Sequence, residues 1–312
     1  MFAGIMCALG AGLMWGLVFI APLLLDDYPG MVLSFGRYIA FGLVALVPAW
    51  VQRRRVATLT RNDWMVALKL SAVGNLFYYA MLASAIQLAG APLPTMLVGT
   101  LPVAIAIYSN WVERKSGRAI AWRHLAAPLV VIFAGLMLVN AGELNHLGEV
   151  QRSASDYALG CVLALCGVAA WTWYPVVNAQ HLRDHPHIDP ACWVTAQGLA
   201  TLPLACLCYA GYGVFAHSGF AFPLGPRPAY YVGLMLLIGL TASWLANVLW
   251  NMAARRLPTS LAGQLIVFET LFALLYAFIL QGTLPGPFVG AGIVVLLVGV
   301  WLGIRAFRPA SQ

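Results

Sequence analysis

Glu269 is a carboxylate in the middle of an apolar stretch that runs from Leu257 to Leu280 and is about long enough to cross a bilayer. Burying a charge there costs several kcal/mol or keeps the group protonated. A carboxylate that faces a water-filled cavity can bind an ammonium group or carry a proton. One that is sealed between helices instead holds them together, and the sequence leaves both interpretations open.

Large aromatic residues also stand at mid-span positions, away from the membrane interfaces where Trp and Tyr are normally enriched. Their rings can stack on a flat solute and hydrogen-bond to it, or they can simply pack between helices. Adjacent residues point about 100° apart on a helix, so only one tyrosine of the pair at 78–79 is expected to face inward. The mid-span set is Trp15, Tyr78, Tyr79, Trp171 and Trp244, whereas Trp50, Trp64, Trp111, Trp122 and Trp193 lie at predicted span ends and are expected in the interface belt.

One indole and two amides recur at helical spacing in the stretch LTASWLANVLWNMAARR. Trp244, Asn247 and Asn251 stand at positions i, i+3 and i+7 and share one side of a helix, and Trp250 falls on another side. This face suits an amphipathic solute. It equally suits hydrogen bonds between helices, which are worth about 0.6–2 kcal/mol each in a membrane.

Two prolines, Pro102 and Pro175, are candidates for hinges that shape a cavity. Proline removes a helix hydrogen bond and can kink a helix. A hinge and a static kink remain equally compatible with the sequence. Arg37, about two turns inside the second span, is expected to snorkel outward or to pair with Asp26 or Asp27.

The loop HLRDHPHIDP carries three histidines, at His181, His185 and His187. Metal binding by these residues is conceivable, but the sequence shows neither a helical ligand spacing nor an outer ligand. A solvated loop is the default expectation, and no metal site and no cofactor are predicted.

The composition places these residues in a membrane protein. Of the 312 residues, 62% are hydrophobic and 9% are charged, whereas about a quarter of a soluble domain is charged. The apolar runs have the length of membrane helices and lack the alternation of a barrel strand. We therefore predict an all-α integral membrane protein. Its ten spans are expected at about 3–25, 30–51, 64–88, 92–113, 121–140, 157–179, 189–213, 229–254, 259–280 and 286–307.

Basic residues are unevenly divided between the two sides of the predicted spans. Thirteen of the 17 lysines and arginines lie on the side of the two termini, and only Arg152 and Arg227 lie on the other. Because basic loops stay inside, both termini are predicted to be cytoplasmic in a bacterial-type inner membrane. The formal charge of +7 is thus a topology signal and does not indicate a nucleic-acid partner.

The two halves of the chain repeat a weak pattern. The segment ALGAGLMWGLVF at 8–19 aligns with ALCGVAAWTWYP at 164–175, and GTLPVAIAIYSNWVE at 99–113 aligns with VFETLFALLYAFILQ at 267–281. Five spans per half is an odd number, so the second half enters the membrane from the opposite side. We predict two inverted five-helix repeats, at 1–145 and 155–308, around a central cavity near the bilayer midplane.

Other function classes are not supported by motifs. The chain lacks HExxH, GxSxG and nucleotide-binding patterns, so an enzyme is not expected. A channel would need a repeated filter or rings of charge. The remaining interpretation is a secondary transporter whose partners are a small-molecule solute and the lipid bilayer; the oligomeric state is open.

Several positions match a known family. They are Trp15 with Gly16, Arg37, Pro102 with Glu113, Glu269, and the Gly290 and Gly299 pattern of the last span. On these residues the chain resembles the drug/metabolite transporter superfamily, EamA type, and is most similar to the YddG aromatic amino acid exporters. It departs from the family pattern at Thr270, where proline is frequent, and at Gln281, where glutamate is frequent.

The resemblance implies a fold and a function. Spans 1, 3, 4, 6, 8 and 9 would surround the central cavity, and spans 5 and 10 would lie outside them. The implied activity is export of aromatic and other apolar amino acids by alternating access. The alternative within the same fold is a broader exporter of drugs or cationic metabolites.

Overall fold

The computed structural model describes residues 1–89, 92–114, 121–144, 153–215, 219–282 and 284–306. Within these ranges all regular elements are helices, and nine of them are long and apolar enough to cross a membrane. The predicted fourth span is covered by two shorter helices that meet at Thr100, whose backbone keeps helical angles (φ −78°, ψ −10°). The expected ends of the halves at 145 and 308, and Arg152, lie outside the described residues.

The ten spans keep the predicted order, and several of them consist of more than one helical piece. Their bounds are Phe2–Gly16 with Leu17–Phe19 and Ala21–Leu24 (span 1), Gly30–Val51 (span 2), Arg61–Leu70 with Ser71–Phe77 and Tyr78–Ala89 (span 3), Pro92–Gly99 with Leu101–Glu113 (span 4), Trp122–Leu144 (span 5), Ala154–Asp184 (span 6), Pro190–Phe215 (span 7), Pro228–Ile238 with Gly239–Leu245 and Ala246–Ala254 (span 8), Thr259–Leu265 with Val267–Gln281 (span 9) and Pro287–Ala306 (span 10). A short helix, Arg53–Val56, connects spans 2 and 3.

The repeat is visible in local backbone structure. Span 3 contains a π-helical segment at Ser71–Phe77, and span 8 contains one of equal length at Gly239–Leu245, 168 positions later. This is the same offset that aligns Pro102 with Thr270 in the sequence. Because π-helical segments are rare, their equivalent placement identifies spans 3 and 8 as counterparts.

The packing of the spans also follows the repeat. Span 2 packs on span 7, span 4 on span 9 and span 5 on span 10, which are pairs of counterparts. Span 1 packs on spans 8 and 9, and span 6 correspondingly packs on spans 3 and 4. Exchanging the halves thus reproduces the packing. The result is an all-α membrane protein of two repeats, as predicted, in which spans 5 and 10 pack on each other.

Close helix contact holds span 1 against span 9. A Cβ added at Gly16 would lie 3.0 Å from the amide nitrogen of Ala273, and one at Gly12 would lie 3.2 Å from that of Glu269. Small residues one turn apart let two membrane helices approach at backbone distance. This contact fixes the start of the second helix of span 9 beside span 1.

Candidate functional site

Glu269 lies at a break in span 9. The first helix of the span ends at Leu265, and Glu269 stands in the first turn of the next helix, which begins at Val267. A carboxylate in the first turn is stabilised by the helix dipole. The break had no signal in the sequence, because the neighbours on both sides are ordinary apolar helix formers.

The carboxylate of Glu269 lies within electrostatic range of two other spans. It interacts electrostatically with Arg37 of span 2 and with Tyr78 of span 3. Its side chain is half-buried, and within the described part of the chain it has no hydrogen-bond or ion-pair partner. The predicted role of Glu269 at a cavity stays a prediction.

Three of the five predicted mid-span aromatics form one cluster. The ring of Trp15 meets that of Trp171 edge-on, with centroids 6.2 Å apart, and Trp171 lies 5.8 Å from Tyr78. Trp250 completes this group, which we call the Trp15 cluster, at 5.3 Å from Trp15. The cluster joins spans 1, 3, 6 and 8. Tyr78 of this cluster interacts electrostatically with Glu269.

Trp250 was missed by the sequence interpretation, which placed it on a different side from the polar residues of span 8. In the structure both sides are interior. Trp250 is buried against span 1, whereas Asn251 is buried against span 6. Span 8 is therefore buried on two sides, against span 1 and against span 6, and the expectation of a single inward face was wrong.

The other two predicted aromatics, Tyr79 and Trp244, lie in a separate group with Phe35 and Tyr38. The Tyr79 hydroxyl donates a hydrogen bond to the carbonyl of Gly30 at 3.0 Å. The Trp244 indole donates to the Thr195 hydroxyl at 3.2 Å. Tyr78 and Tyr79 thus contact different neighbours, as expected for adjacent helical residues.

The two amides of span 8 have different surroundings. Asn247 is half-buried and donates a hydrogen bond to the carbonyl of Ser243 within its own span at 2.5 Å. Asn251 is almost fully buried, and its oxygen accepts a hydrogen bond from the Asn178 amide at 2.7 Å. Their predicted contact with a solute stays a prediction.

Asn178 is the centre of a buried polar network. Its oxygen accepts hydrogen bonds from the Trp193 indole at 2.8 Å and from the Gln197 amide at 2.9 Å. Gln197 in turn accepts one from the Tyr174 hydroxyl at 2.9 Å. With Asn251 these residues form the Asn178 network, which connects spans 6, 7 and 8. The amide nitrogen of Asn251 is buried without a hydrogen-bond partner among the described residues. The hydrogen bonds that the network does make favour one packing of the helices.

Trp193 corrects an expectation. It was predicted in the interface belt, but it is fully buried, because its indole donates to Asn178 and its ring stacks on His181 with centroids 4.4 Å apart. The polar residue Gln197, one turn later, marks this side of span 7 as interior. Trp50 and Trp111, by contrast, are exposed as the belt interpretation predicts.

The expected partner of Arg37 was also wrong. Its Nε donates to the Ser243 hydroxyl at 3.0 Å, across spans 2 and 8. Asp27 pairs instead with Arg227, which also lies 3.4 Å from Asp26. The hydrogen bond from Arg227 holds the pKa of Asp27 below its usual value. Arg227 directly precedes span 8 at the same end of the helices as these carboxylates, whereas Arg37 lies two turns deeper.

The predicted hinge prolines differ in their local structure. Pro102 stands at the start of the second helix of span 4, where a missing N–H costs nothing. Pro175 lies inside span 6, and that helix continues to Asp184. Pro102 therefore coincides with a break and Pro175 does not; a role in motion remains a prediction for both.

A buried ion pair that the sequence did not indicate joins spans 4 and 6. A guanidinium nitrogen of Arg183 lies 3.4 Å from the carboxylate of Glu113, and another donates to the hydroxyl of Thr259 at 2.6 Å. Arg183 was assigned to a loop, but span 6 extends past it to Asp184. The pair lies at the same end of the helices as both termini.

The sequence profile of the EamA-like transporter family matches residues 2–141 and again residues 158–305. The chain belongs to the EamA-like transporter family. A relative of this EamA-like transporter, the inner membrane protein YtfF of Escherichia coli (strain K12), is 45% identical over 309 residues, which are 98% of this chain and 96% of that protein. A crystal structure of a further protein, 19% identical, shares the fold with a TM-score of 0.75 over 98% of this chain and 99% of that one.

Membership in the family explains why the profile is matched twice. Each match covers one five-helix half, so the unit that is repeated in this chain is the whole family domain. The general function, transport across a membrane, follows from the family. The identity of the solute does not follow from the family.

Proposed function

We propose that this EamA-like transporter exports small amphipathic solutes, most of all aromatic and other apolar amino acids, by alternating access. The observation that carries the proposal is the Trp15 cluster, whose Tyr78 interacts electrostatically with the half-buried carboxylate of Glu269. The resemblance to the YddG exporters belongs to the same proposal. The location of this chain in an inner membrane is part of the proposal as well, by analogy with the inner membrane protein YtfF.

The chemistry of the site matches a flat zwitterion. Rings of Trp and Tyr stack on an aromatic side chain and exclude water around it. Glu269 supplies a negative charge for an ammonium group. Arg37, which interacts electrostatically with Glu269, supplies a positive charge for a carboxylate. Both charges of an amino acid then have a counterpart, whereas a second charge on lysine or glutamate has none among the residues of this site.

Alternating access needs contacts that close each end in turn. At one end Arg227 pairs with Asp27, and its backbone N–H donates to the Tyr28 hydroxyl at 2.9 Å. At the other end Glu113 pairs with Arg183. Each set connects the two halves of the chain. In the proposed cycle one set opens while the other holds, as inverted repeats allow.

We predict that proteoliposomes containing the purified protein transport phenylalanine, tyrosine or tryptophan at least about tenfold faster than lysine or glutamate. An unpaired charge in the site costs more than the roughly 1.4 kcal/mol that corresponds to this factor. Uptake of radiolabelled amino acids, with protein-free liposomes as the control, measures the ratio. Equal rates for phenylalanine and lysine would contradict the assigned substrate class.

A second candidate is an exporter of cationic metabolites or drugs. It is favoured by one observation, the carboxylate of Glu269 next to aromatic rings, because cations bind both to carboxylates and to the faces of such rings. The same proteoliposomes separate the candidates. Inhibition by a quaternary ammonium compound, together with no inhibition by unlabelled phenylalanine, would favour the cationic solute.

Both termini are proposed to be cytoplasmic, from the excess of basic residues on their side. We expect alkaline phosphatase fused after Gln312 to be inactive, because this enzyme needs the periplasm to form its disulfides. Fusion of the same enzyme into the loop between spans 1 and 2, beside Asp27, should be active and serves as the control. The reverse pattern of activities would overturn the topology.

A further inference from the structure

Three metal-binding side chains converge where spans 3 and 6 end. Asp63 lies in the first turn of span 3, His181 near the end of span 6, and His185 directly after it. One ligand atom from each residue lies within 4.8 Å of the other two. Because span 6 extends past His181 and buries it, the expectation of a solvated loop is wrong for this residue.

The closest two of these atoms are placed as metal ligands are. Oδ1 of Asp63 and Nε2 of His181 are 3.1 Å apart, and their side chains are only 2% and 6% exposed. Both atoms are buried, and among the described residues neither has a hydrogen-bond partner of regular geometry. Two ligands of one tetrahedral zinc ion lie about 3.3 Å apart, given bond lengths of about 2.0–2.1 Å. The separation of the two atoms is thus close to that of two ligands on one ion.

Two other polar atoms of the cluster already have hydrogen-bond partners. The other oxygen of Asp63 accepts hydrogen bonds from the amide and the hydroxyl of Thr60, both at 2.7 Å. Nδ1 of His185 lies 2.9 Å from the carbonyl of His181, to which it can donate. Outer hydrogen bonds of this kind orient ligating carboxylates and imidazoles and fix the tautomer that presents a lone pair to a metal.

We propose that Asp63, His181 and His185 form a binding site for a divalent transition-metal ion of the zinc type. Two imidazoles and one carboxylate suit zinc, cobalt or nickel, and they do not suit calcium or magnesium, which prefer oxygen ligands. The fourth position is open to water or to His187, whose ring lies 5.9 Å from that of His185. The site is separate from Glu269 and does not depend on the identity of the solute.

Because of its position, an ion bound at this site would affect the transport cycle. It connects Asp63 of the first half with His181 of the second half, next to the Asn178 network that continues through Trp193. A bound ion would tie the two halves together at this end. It would thereby favour the conformation that is closed there, because only a ligand with different affinity for two states shifts their equilibrium.

The test uses the full chain, purified in detergent without a histidine tag and stripped with a chelator. We expect one Co²⁺ per chain by visible absorption and one Zn²⁺ per chain by calorimetry. Asp63→Asn, His181→Gln and His185→Gln should each weaken Zn²⁺ binding by at least about tenfold, since even loss of an outer partner costs 10–100-fold. His124→Gln, at an exposed histidine outside the cluster, is the matched control.

His185→Gln keeps the proposal testable if a change at a buried ligand prevents folding, because His185 is only half-buried. Its elution from a sizing column should equal that of the wild type. Zn²⁺ should raise the melting temperature of the wild type and of His124→Gln, but not that of His185→Gln. Failure of the wild type to bind either ion, or unchanged affinity in His185→Gln, would overturn the site.

Discussion

Replacing Glu269 by glutamine is expected to reduce transport by about tenfold to a hundredfold, the loss that corresponds to one hydrogen bond or ion pair with a charged group. Glutamine keeps the size of the side chain and removes its charge, so it can neither hold an ammonium group nor exchange a proton. Transport by the wild type should change with pH around the titration of this carboxylate. The variant should lack that change when the two are compared in proteoliposomes across pH.

The control for this experiment is Thr270→Val at the next position of span 9, which alters a neighbouring polar side chain but leaves the carboxylate. It should transport at nearly the wild-type rate. Equal expression and equal elution from a sizing column establish that both variants are folded. Full transport by Glu269→Gln with an unchanged pH profile would reduce the carboxylate to a structural group and would remove the main support for the proposed site.

The second large effect is expected on stability. Replacing Asn178 by alanine leaves the Trp193 indole, the Gln197 amide and the oxygen of Asn251 without their partner in a buried region. Each orphaned group costs about 1–3 kcal/mol, so the free energy of unfolding should fall by about 3 kcal/mol or more. We expect an apparent melting temperature lower by about 5–10 °C in detergent.

Asn62→Ala is the matched control, because this asparagine is exposed at the start of span 3. Its melting temperature should stay near that of the wild type, as for most surface substitutions. If Asn178→Ala had the same melting temperature as Asn62→Ala, the Asn178 network would add little to stability. Its amides would then become candidates for contacts with the solute.

The fold was largely predictable from the sequence because its signals are long and repeated. Each span is an apolar run of bilayer length, and an odd number of spans per half implies opposite orientation of the halves. The internal interruptions were not predictable. The break before Val267 and the π-helical segment Ser71–Phe77 depend on packing between distant helices, and no local pattern of residue types marks them.

The candidate site was predictable in its parts and not in its grouping. Trp15, Tyr78 and Trp171 were selected because they are large aromatics in mid-span, and they do meet. Trp244 was selected on the same ground and lies elsewhere. The difference depends on which helices are neighbours, and hydropathy carries no information on that. Asp63 and His181 were missed as partners for the same reason, since 118 positions separate them in the chain.

The paired π-helical segments in spans 3 and 8 also bear on the history of the chain. A π-helical segment is rare in helices, and these two fall at equivalent positions, 168 residues apart. The two halves are therefore alike in a detail of helix winding as well as in the order of their spans. A duplicated five-helix unit would leave this shared detail.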